Sequence, residues 1–302
     1  MSGKLGEIES WIAATHQLDA VIAAMRGIAA SRSHEARERL AGIRAAAATA
    51  ATAATAGAAI GEVLAFATTK ARPAVQRPAR RPCATARGGD VCIVVGTEQG
   101  FVGALNDELV EYALRQDGGA HAYRWLLVGS RLASAAASRG LSAVWSAPMA
   151  VHPDAIPQLA VRITDALYAR LAPGQRVARI SVVSAQPGES RLQIAQRILI
   201  PFDFTRFRVS PRAQPPLVNV APARLLSGLV DFYVFVQLCE ALMPSFAAEN
   251  EARVRAMLAA RTHVQQRLND LTQHYRAVRQ EEITSEIVEL SAGGEAARRA
   301  VD

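Results

Sequence analysis

The sequence predicts two long terminal helices that pair as an antiparallel coiled coil, with an α/β domain inserted between them. Three patterns carry this. Towards the C-terminus, Met243, Ala247, Asn250, Val254, Met257, Arg261, Val264, Leu268, Leu271, Tyr275 and Val278 follow at alternating steps of four and three. Such a 3.5-residue period supercoils left-handedly against a partner helix. Near the N-terminus, Leu5, Ile8, Ile12, Leu18, Ile22, Met25, Ala29, Ala36, Leu40, Ile43 and Ala47 form a complementary apolar stripe. Between them, short apolar runs alternate with helical patterns, as in a mostly parallel sheet with helices on its faces.

Residues 1–70 read as an N-terminal helical segment, with helical patterning over 4–66; a terminal helix this long serves as a shaft, a tether or an oligomerisation rod. Ala45–Ala59 is almost pure Ala and Thr. Ala is the best helix former, so this stretch is either filler or a slim helix fitted to a narrow space. Residues 71–89 are a linker, in which Pro73, Pro78 and Pro82 alternate with Arg72, Arg77, Arg80, Arg81 and Arg87 before Gly88 and Gly89. Proline cannot continue a helix, so the segment is extended and basic.

Residues 90–210 form the α/β domain. Val91–Val95 is a buried strand, followed by a glycine-bearing turn and a helix over Ala104–Arg115. Arg124–Val128 is a second strand, Arg131–Ser138 a short helix and Leu141–Trp145 a third strand. Ile156–Leu171 is an amphipathic helix, and Val177–Ser184 and Arg191–Ile200 are further strands. The Pro-rich stretch Pro201–Pro222 leads into the long C-terminal helix, which falls within residues 211–302. Helical from Arg224 to Leu290, it would reach roughly 100 Å at about 1.5 Å per residue. Pro244 interrupts it near its start, and Asn250 and Arg261 are polar insertions that specify register at a cost in stability. Beyond Val278 the apolar phase shifts towards Ile283, Ile287 and Leu290, as if the last turns leave their partner helix.

Hydrophobic residues make up 50% of the 302 positions but aromatics only 5%, which favours slim helical packing over a bulky core. The net charge is +7, and lysine occurs only at Lys4 and Lys70. The arginine excess reads either as coding composition or as a surface for an acidic partner. Cys83, Cys92 and Cys239 lie far apart with no CxxC pair, which points to neither a disulfide framework nor a zinc site and fits a reducing compartment. Cys92 sits in an apolar run, as a packed core residue does. Neither a signal peptide nor an apolar run long enough to span a bilayer is expected.

Gly96–Gly103 follows a strand and precedes a helix, the context of a phosphate cradle. Yet it is neither GxGxxG nor GxxxxGK[ST], so its glycines read as serving a tight turn and close packing. The histidines at 16, 34, 121, 152, 263 and 274 make no HExxH, and no metal site is implied. No serine has a GxSxG setting. The residues point to no catalytic site and no cofactor.

The tail is specific. Tyr275 to Gly294 resembles Y-N-x-x-R-Q-x-x-I-T-x-E-[IL]-x-E-[IL]-x-x-G-A, matched at Arg279, Gln280, Ile283, Thr284, Glu286, Glu289 and Gly293. Glu249 to Met257 is similar to S-E-x-x-A-R-M-x-A-M, and Ala24 to Arg32 to K-A-M-x-M-V-A-A-S-K. Gly100, Gly103 and Asn106 lie in a stretch similar to G-L-C-G-G-L-N. Together, in this order, these motifs resemble the gamma subunit of F-type ATP synthases. The resemblance implies a Rossmann-like, non-catalytic foot domain carried by a coiled-coil rotor shaft. It implies as partners the alpha and beta subunits, the epsilon subunit and the c ring, with one copy per complex at the cytoplasmic face of a bacterial membrane. Arg279, Gln280 and Thr284 match positions that hydrogen-bond a beta-subunit loop, and Met25 and Arg26 match the shaft region facing a second loop. Ala23, Gly27, Val102, Ala104 and Pro244 depart from the family pattern, as in a divergent or alternative form. Without the tail, a basic coiled-coil scaffolding or nucleic-acid-binding protein, with its affinity in Arg72–Arg87, fits the residues too.

Overall fold

The computed structural model describes residues 2–53, 90–117, 123–170, 179–188, 191–200 and 222–299. The expected linker at 71–89, helix residues 54–66 and most of the Pro-rich connector lie outside them. In chain order the elements are α1 (Ser2–Ala53), β1 (Val91–Val95), α2 (Leu105–Asp117), β2 (Arg124–Val128), α3 (Ser130–Ser138) and β3 (Ala143–Ala147). They continue with α4 (Ile156–Arg170), β4 (Ile180–Gln186), β5 (Gln193–Ile200) and α5 (Pro222–Arg299). Two compact units result, one of Met1–Ala29 with Val254–Asp302, the other of Ala30–Arg253. The division cuts α1 and α5.

In the larger unit the strands order β3-β2-β1-β4-β5. β1 pairs in parallel with β2 and β4, β2 in parallel with β3, and β5 closes the sheet antiparallel to β4. All of β1 is buried because both sheet faces are covered. Val91, Ile93 and Val95 face one cluster, which holds Ile156 and Ile163 of α4, Leu238 and Leu242 of α5, and Ala36 of α1. Cys92 and Val94 face the opposite cluster, with Leu109 of α2 and Leu132 of α3. Alternation along an apolar strand thus divides its side chains between two helical layers.

Pro244 lies inside α5, and the helix assignment continues through it. Proline removes the N–H that would bond the carbonyl four residues back, a cost of about 3 kcal/mol. Burial of every residue from 241 to 250 supplies the packing that keeps this stretch helical, where an interruption was expected.

In the smaller unit, segments of α1 and α5 pair antiparallel: Glu9 meets Tyr275, Asp19 meets Arg261, and Ile22 packs with Met257 and Val264. On α5, Met257, Arg261, Val264, Leu268, Leu271, Tyr275 and Val278 are all shielded, as the heptad predicts, with Ala260 and Thr272 beside them. On α1 the stripe needs correction. Leu5, Ile8, Ile12, Ile22, Met25 and Ala29 are shielded as expected and Thr15, Asp19 and Arg26 join them, while Leu18 is 50% exposed. Helical phase turns Thr15 and Asp19 inward in place of Leu18, and Asp19 is then met by Arg261.

Candidate functional site

The β1–α2 loop emerges where the strand order reverses, since β1 connects to β2 on one side while β3 returns to β4 on the other. In open α/β sheets ligands bind in this crevice, outside the carboxyl ends of the strands. Here a side chain of α5 enters it. The Gln99 N–H donates to Glu249 Oε1 at 3.1 Å and the Glu98 N–H to Glu249 Oε2 at 3.4 Å. Arg253 donates from Nη2 to Glu249 Oε1 at 2.8 Å, from Nη1 to Asn250 Oδ1 at 2.9 Å, and from Nε to the Gly100 carbonyl at 3.3 Å. Glu249 is 3% exposed and Arg253 5%. Burial pushes the Glu249 carboxyl up, against the Gln99 amide and the charge of Arg253, which favour its ionised form. The void left beside them is about 10 Å³, at the lower limit for one water molecule.

A second carboxylate braces the same loop. Glu98 accepts from the Ser130 N–H at 3.0 Å, the Ser130 hydroxyl at 2.7 Å and the Met149 N–H at 2.8 Å, tying β1 to the start of α3 and to the segment after β3. Burial alone would raise its carboxyl, but these bonds outweigh it and hold Glu98 below its ordinary range. Asn106 accepts from the Thr97 N–H at 3.1 Å and donates to the Thr97 hydroxyl at 2.8 Å, closing the loop on its far side. Gly96 packs so tightly on α3 that a Cβ there would sit 2.5 Å from Leu132 Cβ. Gly103 adopts φ 61°, the left-handed region glycine tolerates without penalty. Gly100 contributes its carbonyl to Arg253, so Gly100, Gly103 and Asn106 each have a local structural task.

Asn250, which the heptad reads as able to fix register, donates from Nδ2 to the Phe246 carbonyl at 2.9 Å and receives Arg253 at its Oδ1, so it also holds that guanidinium. The roles of Glu98 and Glu249 were not read from sequence. A buried-helix motif carrying Glu and Arg four apart was the available signal, because that spacing puts both on one face.

In the smaller unit, Met25 packs with Ile22, Met257 and Val264, and Arg26 beside it is half-buried. Arg279, Gln280 and Thr284 are exposed on α5. The Tyr275 hydroxyl donates to Glu9 Oε1 at 2.7 Å; that bond raises its pKa, and the nearby charge and hydrogen bond of Arg279 oppose the rise. Thr284 donates its hydroxyl to the Gln280 carbonyl at 2.8 Å, and both line an open groove with Ala277, Ser285 and Val288. Ile283 is 48% exposed and Leu290 78%; Ile287 is exposed with them, and Glu286 and Glu289 lie on exposed turns. Gly293 falls within α5. Reduced exposure continues instead through Glu282 and Ser285, so the apolar residues past Val278 do leave the seam. Among the described residues no cluster of potential metal ligands occurs, and no helix is long and apolar enough to cross a membrane.

A family profile described as ATP synthase matches residues 4–297. Curated relatives named ATP synthase gamma chain include that of Aliarcobacter butzleri, 33% identical over 108 residues, covering 34% of this chain and 36% of that one. That of Methylacidiphilum infernorum is 32% identical over 129 residues, covering 43% and 37%. The aligned stretches thus span little more than a third of these relatives. Among solved structures, a chain of the Euglena gracilis mitochondrial ATP synthase is similar with a TM-score of 0.65 at 12% identity, covering 100% of this chain and 97% of that one. A central-stalk chain of the Tetrahymena thermophila enzyme gives 0.54 at 16% identity, covering 80% and 99%. At these identities the likeness is one of fold.

Proposed function

The chain belongs to the ATP synthase family, and from that premise we propose that it is the gamma subunit, the rotor shaft of a rotary ATP synthase. The observation that carries this reading is the antiparallel pairing of residues 5–29 with the seam from Met257 to Val278. A two-stranded coiled coil resists bending and twisting better than one helix, as a torque-bearing rod must. In this reading the rod turns inside a ring of alpha and beta subunits, and the α/β unit is a Rossmann-like foot seated on the c ring with the epsilon subunit. Ion flow turns the ring, and the eccentric shaft drives the catalytic beta subunits through their conformations. The chain contributes no catalytic group of its own and sits peripherally at the cytoplasmic face of a bacterial membrane.

Arg279, Gln280 and Thr284 serve as contacts for a beta-subunit loop, together with Met25 and Arg26 lower on the shaft. A planar guanidinium holds a carboxylate through two parallel bonds, and the exposure of Arg279 leaves it within reach of such a partner. Ile283, Ile287 and Leu290, all exposed, suit an apolar bearing at the tip. The test is a pull-down from solubilised membranes with a tag inserted between residues 71 and 89. Recovery of alpha and beta subunits with ATPase activity is the expected result. Recovery of nucleic acid, or of the chain alone without ATPase, overturns the proposal.

A further inference from the structure

We propose that the β1–α2 loop is an anion cradle that the chain fills from within, and that a small free carboxylate such as acetate takes the same place once the Glu249 side chain is cut back. The loop presents two consecutive backbone N–H groups, of Glu98 and Gln99, to one carboxylate. A guanidinium completes the site, bonded at 2.8 Å to the same oxygen that Gln99 meets. Both charged side chains are at least nine-tenths buried. The donors converge in the crevice where an open α/β sheet otherwise meets its ligand, and the carboxylate they hold comes from α5.

Shortening Glu249 to Ala removes the atoms of one acetate: the γ-methylene carbon and the carboxylate. What remains is a polar recess where the two amides and the Arg253 cation have lost their carboxylate, although Arg253 keeps Asn250 and the Gly100 carbonyl; water can enter it but brings no compensating charge. A buried charge left without its partner is costly, so an anion of matching size is drawn in. The void of about 10 Å³ beside intact Glu249 is too small for this. In the native chain the same bonds fasten α5 to the sheet by directional, ligand-like contacts as well as by apolar packing. Their use as a torque-bearing anchor rests on the rotor reading, whereas the cradle itself does not.

The experiment uses the full-length chain with Glu249→Ala and Glu249→Gln, read by melting temperature and by hydrogen exchange at the Glu98 and Gln99 amides. Sodium acetate is compared with sodium chloride at equal ionic strength. For Glu249→Ala the expected result is a lower melting temperature and amide exchange faster by about tenfold or more, both reversed by acetate and not by chloride. Acetate leaves the native chain and Glu249→Gln unchanged, because their recess is full. Equal effects of acetate and chloride on Glu249→Ala, or unchanged amide exchange, overturn the proposal. If Glu249→Ala does not fold with either salt, Glu249→Gln decides. Its amide group can satisfy only one of the two N–H donors as an acceptor, so faster exchange at one of them supports the cradle and native exchange at both refutes it. None of these readouts involves other subunits, so their failure leaves the rotor reading standing.

Discussion

Replacing Arg253 with Met keeps most of the stem and removes the guanidinium. The native side chain donates to Glu249, Asn250 and the Gly100 carbonyl while only 5% exposed. Its loss strands a carboxylate that is 3% exposed, held only by two backbone amides. Breaking a buried ion pair from one side costs about 3–5 kcal/mol. The amides remain and Glu249 can take up a proton, which its burial already favours, so the lower end, about 3 kcal/mol, is expected. Adding Glu249→Gln removes the stranded charge, so the double variant should be more stable than Arg253→Met alone at neutral pH. The sign with pH follows. A carboxyl whose folded pKa is raised contributes stability that is full below its unfolded value and is lost as pH rises through the folded one. Arg253→Met should therefore recover stability on acidification relative to the native chain. Urea unfolding in a Trp11→Phe background measures this, since Trp125 and Trp145, the other two tryptophans, both belong to the sheet. A cost below about 1 kcal/mol for Arg253→Met, well under the range for broken buried pairs, would refute the reasoning, as would a double variant no more stable than Arg253→Met at neutral pH.

Gly96→Ala puts a methyl 2.5 Å from Leu132 Cβ and 2.8 Å from Asn106 Oδ1, and should cost about 1–3 kcal/mol by overpacking. Gly27→Ala, in α1 with nothing within 4 Å of the added carbon, should instead gain about 0.5–1 kcal/mol; thermal melts that rank them in reverse disprove the packing account. Glu98 titrates below its ordinary value of 4.5, so its stabilisation is present above the unfolded pKa and lost as pH falls through the folded one. The stability gap between the native chain and Glu98→Gln should therefore close on acidification, and a constant gap contradicts this. Arg261 donates to Asp19 at 3.2 Å with both partly exposed; a double-mutant cycle should give about 0.5 kcal/mol that weakens with salt, and zero coupling would leave the pair only a steric part. Arg279→Ala, at an exposed position, should change stability by less than about 0.5 kcal/mol yet lower ATP synthesis by the reconstituted complex. Unimpaired synthesis removes Arg279 from the proposed contacts.

The α/β order was legible because a strand buried on both faces is a continuous apolar run, as in Val91–Val95, and the helices between strands carry their own period. Boundaries moved by a few residues, as at β3, found at Ala143–Ala147 and expected at Leu141–Trp145. The α5 seam was legible through Val278 because its polar members are few. On α1 the pattern misled: Leu18 outweighed Thr15 and Asp19 by hydrophobicity, yet facing is decided by helical phase and by the partner's Arg261. Glu98 and Glu249 were illegible as a pair because they stand far apart in the chain and meet only across a folded crevice.

Hydrophobic period and four ordered motifs in the sequence determined the helix–sheet–helix organisation and the family, since both depend on local spacing along the chain. Tertiary structure alone decided that the glycine-rich loop is filled by Glu249, that Asn250 steadies Arg253, and that α5 stays helical through Pro244. Each of these depends on which distant groups are buried together, and burial sets the strength of a charge, the need for a hydrogen-bond partner and the tolerance of a missing one.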